Sequence, residues 1–537
     1  MAEETSKKLK FFSWQKPDRA EQAKALIDGM LKLGSPIVSK DGIISRLRFD
    51  KLGIRTQAMS KDNLLAEIHL TTEYYIQKWE KEVDKQGKPL MDKNGKPIQR
   101  IGTVIGDVHR HLLNVIYGMP WPDNGLWDTR GVMKHPIINR NGDYVIRNGL
   151  TWYKKNVNGF SIKMPKIHLA DGYDPITKYF FAIPDNVMAE LEGIENQKPT
   201  DNDVIEALDF ISDFLCDFEF ETDSARASAV AFMLTMLCRE LVEGSIPMLE
   251  IRAAESQTGK SLLAKMMIEA VTGERPSLFS PNFYDKSEFE KELLSVLMRG
   301  RNYVFMDNVK GTVDSSMLDM GLTSSFIEKR LLNTNDVATV YSGMPFVITG
   351  NNPKLSDDIR KRVYLLDLIK PKEGKKFKHN KPEVYALKSG PKMLRSLFTL
   401  YNHWNINEKR KLYTQRRMDG FIEWSAIIGG ILQSVGIFGF LDDTVKQIRE
   451  VDPKYMQASD MAEAWYAVYK NKWLQVKETV SFATEAGYVK GDETFQKKVQ
   501  TINVKLNQMR MVKLPGGYRF EKTEFGRGSQ WRVMKDE

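Results

Sequence analysis

Apolar residues recur every three to four positions along VIEALDFISDFLCDF (204–218) and SARASAVAFMLTMLCREL (224–241), the spacing of helices that bury one face. Beyond them the period changes. SIPMLEI, NYVFMDN and PFVITGNN are short apolar runs, the last two ending in polar residues, separated by helical segments such as SLLAKMMIEAV. Strand, loop, helix and strand in turn, over about 120 residues, predict a mostly parallel sheet covered by helices. Upstream, RAEQAKALIDGMLKL (19–33) and NLLAEIHLTTEYYIQKWEKEV (63–83) both read as helical. Between them and the core, DKQGKP recurs as DKNGKP, two glycine turns that predict an exposed hairpin. Residues 101–195 break into short alternating segments around NRNGDYVIRNG and LADGYDPITKYFF, the texture of a small β-rich module. After Lys370 the chain is helical and basic. It ends in helices and in MVKLPGGYRFEKTEFGRGSQWRVM, two strand-like runs around glycine turns at Gly516-Gly517 and Gly526, a winged helix-turn-helix pattern.

At 537 residues the chain is long enough for three or four domains. No run reaches the roughly 20 apolar residues of a membrane span, and the start lacks a signal-peptide stretch, so a cytoplasmic protein is expected, in a bacterial host. Cys216 and Cys238 have no neighbouring Cys or His at metal-ligand spacing, which excludes a zinc ribbon, and His109 and His111 lack a carboxylate partner. The net charge is +9, but its placement matters more: residues 361–420 hold 16 Lys and Arg against 5 Asp and Glu. Residues 505–535 add eight basic against two acidic side chains. Such concentration suits a polyanionic partner, since each neutralised phosphate releases counterions, although a solvated lysine surface is the commoner outcome of a charge run.

The candidate chemistry starts at Ala254-Glu255-Ser256-Gln257-Thr258-Gly259-Lys260-Ser261-Leu262, a relaxed phosphate-loop pattern with Ala254 at the position of the first glycine. Such a loop turns backbone N–H groups toward phosphates, with a lysine for the β/γ oxygens and a hydroxyl for Mg²⁺. Lys260 and Ser261 supply the last two, which implies ATP and Mg²⁺ as ligands. Asp307, closing the run RNYVFMD, is the acid that positions the metal with Ser261. Asn308 follows where a water-polarising glutamate often stands, leaving Asp307 itself or an acid such as Glu328 as base. Asn351, at the end of PFVITGN, is placed to orient water beside the γ-phosphate. Arg360 and Arg362, in DDIRKR, are placed to act on a neighbouring subunit's nucleotide.

With D-N-V-x-G, T-G-N-N and D-x-x-x-R in this order, residues 200–440 resemble the AAA+ helicase domains of superfamily 3 type found in phages, plasmids and mobile elements, often fused to a primase. FIEWSAIIGGILQSVGIFGFL (421–441) also looks like that group. The resemblance implies an α/β P-loop AAA+ core, a parallel sheet with flanking helices, and the sequence patterns on either side set it between an α+β N-terminal region and a C-terminal winged helix. It implies a homo-hexameric ring driven by ATP along single-stranded or forked DNA. Lys260, Asp307, Asn351, Arg362 and Arg360 are then catalytic, with Lys329 and Arg330 on the hairpin facing the pore. The first 200 residues carry neither a paired-acid strand nor zinc-binding cysteines, which argues against primase activity and leaves a primase or polymerase as separate partners. The winged-helix tail offers Lys505, Arg510, Lys513, Arg519, Arg527 and Arg532 as further DNA contacts.

The expected domains are 1–100, helical with an exposed hairpin; 101–195, β-rich; 196–245, a helical collar; 246–370, the ATPase core; 371–440, basic and helical; and 441–537, the winged helix. The expected function is an ATP-dependent DNA helicase of phage or mobile-element replication. An origin-melting initiator or helicase-loading ATPase without translocation is the alternative, and an NTPase acting on RNA or a protein partner is a third reading.

Overall fold

The protein is described from a computed structural model at residues 9–12, 18–32, 35–41, 43–50, 53–81, 88–93, 96–105, 110–118, 126–157, 160–255, 257–330, 337–350, 353–451, 453–489, 493–525 and 528–535. It is a mixed α/β chain in two compact units, Met1–Phe440 and Leu441–Glu537. Among the described residues no helix is long and apolar enough to cross a membrane.

The centre of the first unit is a four-stranded sheet. Its order is Val304–Val309, Phe346–Gly350, Met248–Arg252, Val363–Asp367, and every neighbouring pair is parallel. Phe346–Gly350 is buried throughout and Val363–Asp367 through its first four residues, the pattern of strands covered on both faces. Helix Lys260–Thr272 packs on the two central strands and Asp223–Cys238 packs on the edge strand Val363–Asp367. Helix Pro382–Asn402 lies against both Lys260–Thr272 and Asp201–Leu215. The predicted parallel sheet is therefore present. Because its strands run the same way, all their C-terminal ends open on one edge.

The N-terminal part departs from its helical pattern. Helices Arg19–Lys32 and Lys61–Thr71 form, but the second stops and Thr72–Lys81 continues as a strand, antiparallel to Gln99–Ile105 and parallel to Leu9–Phe12. The reason lies in Thr72-Glu-Tyr-Tyr-Ile76, β-branched and aromatic residues that lose rotamer freedom in a helix and fit a pleated surface. A three-stranded meander, Ile37–Lys40, Ile43–Asp50 and Gly53–Ala58, stands between the two helices. Of the repeated glycine turns, residues 82–87 and 94–95 lie outside the described residues, and Met91 bridges Pro97 between them. Residues 126–196 combine short sheets with small helices, and a long hairpin pairs Leu150–Val157 with Phe160–Ile167.

In the second unit, helices Asp442–Val451, Pro453–Tyr469, Val476–Glu485 and Phe495–Gln508 accompany an antiparallel sheet of Leu474–Gln475, Gly528–Lys535 and Tyr518–Phe525. Trp465 and Trp531 are fully buried in its core. Gly516 and Gly517 take positive φ in the turn before Tyr518, while Gly526 lies outside the described residues.

Candidate functional site

The loop after Met248–Arg252 leads at the sheet's C-terminal edge into helix Lys260–Thr272. Gly259 caps that helix at φ 86°, a left-handed conformation in which a side chain is strained. A Cβ there would also stand 3.1 Å from the Phe218 ring. Gln257 also takes a left-handed φ of 60° two residues earlier. Ala254, Glu255 and Gln257 are exposed, Thr258 is buried and Leu262 is half-buried on the first turn; Ser256 lies outside the described residues. Lys260 is buried, with its Nζ 3.3 Å from both the Glu255 carbonyl and Thr258 Oγ1. Burial lowers its pKa below the usual lysine range. These are long hydrogen bonds to neutral oxygens, so an anion would be a better partner for the ammonium.

Ser261, in the first turn of the helix, donates to Asp307 Oδ1 at 2.5 Å. A bulge turns Asp307 toward it: Met306 pairs with Ile348 and Val309 with Gly350, so Asp307 and Asn308 together oppose Thr349, and Asn308 takes φ 54°. Gly350 allows this approach, because a Cβ there would lie 2.7 Å from the Val309 carbonyl oxygen. Thr349, 1% exposed, accepts the Asn308 N–H at 3.1 Å and donates to Asp307 Oδ1 at 2.6 Å. Ser261, Asp307 and Thr349 thus converge on one carboxylate oxygen. An acid with an adjacent hydroxyl beside a buried lysine is a donor set suited to a hard divalent cation and phosphate oxygens. Asn351 lies outside the described residues, and Glu328 is exposed on a hairpin strand opposite Thr339.

Arg360 and Arg362 stand at the other edge of the sheet. Met248, the first residue of its strand, pairs with Val363, so Arg362 precedes the strand that Asp367 ends. Five residues of strand, roughly 15 Å, therefore separate Arg362 from the loop edge of its own chain. Its Nη1 lies 2.9 Å from Asp319 Oδ1 and donates to the Asp358 carbonyl, and Arg360 donates to the Leu355 carbonyl at 3.0 Å. Nearer the loop, Arg252 forms a two-pronged ion pair with Asp367, at 2.7 and 2.6 Å. Beside it, Glu250 is 2% exposed with Oε2 unpartnered, and burial raises its pKa to about 7.

Lys329 and Arg330 fall on strand Phe326–Arg330, antiparallel to Val337–Tyr341, with the connecting residues 331–336 outside the described residues. Lys329 is paired with Glu290 at 2.9 Å. In the second unit, Arg519 and Arg532 both bind Glu521, at 3.1 and 2.6 Å, and Arg532 also lies over the Trp473 ring. Lys505 donates to the Tyr488 carbonyl at 3.0 Å, Arg510 and Lys513 are exposed, and Arg527 lies outside the described residues.

Sequence spacing hid one cluster. His379 Nε2 comes within 4.0 Å of Cys216 Sγ and 3.9 Å of Asp213 Oδ2, across 163 residues. Cys216 has no histidine at metal-ligand spacing in the sequence, and the fold brings His379 to it from just before a distant helix. The Asp213 carboxylate is already occupied by Lys378 and by Tyr385 at 3.1 Å, so an ammonium stands where a metal would compete. Cys238 is fully buried, which raises its thiol pKa to about 12.

No protein family's profile matches the chain, and no curated protein does. Among solved structures it is similar to the A form apo structure of the NrS-1 C-terminal region, at 11% identity and TM-score 0.35, covering 96% of this chain and 99% of that one. It is also similar to the apo structure of NrS-1 C-terminal region (305–718), at 10% identity and TM-score 0.32, with the same coverage. At these scores the likeness bears on neither site nor activity.

Proposed function

We propose that the chain is an ATP-dependent DNA helicase with a P-loop AAA+ core. The observation that carries this reading is the convergence of Ser261, Asp307 and Thr349 on one carboxylate oxygen, beside buried Lys260 at the start of a helix. Lys260 and the N–H groups of the helix start would hold the phosphates of ATP, and Ser261 with Asp307 would hold Mg²⁺. Bound there, the metal would supply charge neutralisation at the β- and γ-phosphates. Arg362, at the far edge of the sheet, cannot serve its own loop, which supports a ring in which one subunit's arginine serves the next. The basic segment 361–420 supports a polyanionic partner, and the second unit, read as a winged helix, offers a further DNA contact.

Nucleotide binding and turnover by the Lys260→Ala and Asp307→Asn variants test the site. Loss of ATP binding in the first and loss of turnover with binding kept in the second are expected. Wild-type turnover in either would remove the loop from the reaction. DNA-stimulated hydrolysis without strand separation would instead assign the chain to the initiators and loaders.

A further inference from the structure

The hairpin of Leu150–Val157 and Phe160–Ile167 takes no part in the site above. Its eight paired positions join no other strand of the described residues, so it forms a ribbon about 25 Å long with two open edges. Its base is fixed. Leu150 and Ile167 pack on the cluster of Val38, Leu47 and Phe180, the Gly149 N–H donates to the Phe181 carbonyl at 2.9 Å, and Thr151 Oγ1 meets His168 Nε2 at 2.8 Å. Beyond the base Trp152 is 37% exposed, Tyr153 is 46% exposed, and Lys154 and Lys166 are exposed.

The sequence of this ribbon is one-sided. It holds four lysines and no Asp or Glu, and the register sets Lys154 opposite Lys163. Edge lysines by themselves are explained as protection against strand addition, which also disfavours a protein partner docking on these edges. Exposed Trp152 and Tyr153 work against such protection. Lysines that track a phosphate backbone, alternating with aromatic rings on which unstacked bases lie, are the combination that binds single-stranded nucleic acid without sequence preference.

We infer that the face of this hairpin that carries Trp152 and Lys154, two residues apart on one strand, is a single-stranded DNA contact, separate from the ATPase core, with Lys154 on a phosphate and Trp152 stacking on a base. This rests on the DNA-motor reading and adds to it a site that works without ATP.

The test is fluorescence anisotropy of the full chain with labelled dT20, without nucleotide, across a salt series. For Lys154→Ala the slope of log affinity against log salt should shrink by about 0.7, the value of one single-strand phosphate contact. Trp152→Ala should weaken binding roughly 5- to 100-fold, as one lost stacking contact does. Lys154→Arg should keep the slope, and an unchanged circular dichroism melt confirms folding of each variant. Wild-type affinity and slope in both alanine variants would overturn the hairpin site alone. An equal loss on a blunt duplex would overturn its assignment to single strands. No binding of dT20 by the wild-type chain at low salt would overturn the DNA reading itself.

Discussion

Thr349 Oγ1 lies 2.6 Å from Asp307 Oδ1 and accepts the Asn308 N–H at 3.1 Å, so its single proton is directed at the carboxylate. The two residues face one another because the Asp307 strand bulges by one residue opposite Thr349. Thr349 is therefore a positioning residue for the acid. Thr349→Val keeps the shape and removes the proton. One hydrogen bond to a charged group is worth about 1.5–3 kcal/mol, so ATP turnover should fall by roughly 10- to 100-fold. ATP affinity, carried by Lys260, should change little. Unaltered turnover under steady-state assay would show that Asp307 holds its position without this partner.

Glu250 gives the core a pH dependence of known sign. In the unfolded chain its carboxyl ionises near the ordinary 4.5, and in the buried strand near about 7. The folded state thus keeps a proton that the unfolded state has lost, and stability falls as pH rises between these values. Glu250→Gln removes that titration. Its melting temperature relative to wild type should climb from pH 4.5 to 7 and then level, an effect of at most about 3 kcal/mol. A difference that stays flat with pH would mean that the carboxyl ionises normally.

Arg362 precedes the edge strand on the side of the sheet away from Ser261. Mixing Arg362→Ala subunits with Lys260→Ala subunits should therefore restore part of the ATPase activity that neither has alone, because some interfaces regain a complete site. Absence of recovery in rings shown to be intact by light scattering would count against action between subunits.

Arg532 reaches Glu521 with two nitrogens, at 2.9 and 2.6 Å, and covers the Trp473 ring. Arg532→Ala should destabilise the second unit by about 1–3 kcal/mol, since it leaves the partly buried carboxylate short of a partner. Affinity for DNA should stay within about twofold of wild type, as read by titration at fixed salt. A large loss of affinity with an unchanged melt would show that the guanidinium leaves Glu521 for a phosphate.

The parallel sheet was legible because each of its strands is a short apolar run, and the loop because Gly259-Lys260-Ser261 follows such a run. What escaped depended on register or on distance along the chain. Thr349 reads in sequence as an ordinary β-former, and only the bulge at Asp307-Asn308 turns it into a hydrogen-bond donor at the site. Phe218 over Gly259, Lys329 on Glu290 and His379 beside Cys216 join residues too far apart for periodicity to connect. The helical reading of residues 63–83 failed at Thr72, where β-branched and aromatic residues outweighed an apolar spacing that suits either structure. Lysine and arginine counts located the basic segments but not which cations the fold pairs internally, as Glu521 does with Arg519 and Arg532.

The most direct test is strand separation on a forked duplex by the purified full chain, with ATP and Mg²⁺, beside the Lys260→Ala variant. Displacement of one strand that requires ATP and is lost in Lys260→Ala is the predicted result. Hydrolysis of ATP stimulated by the fork, with both strands still paired, would contradict the helicase.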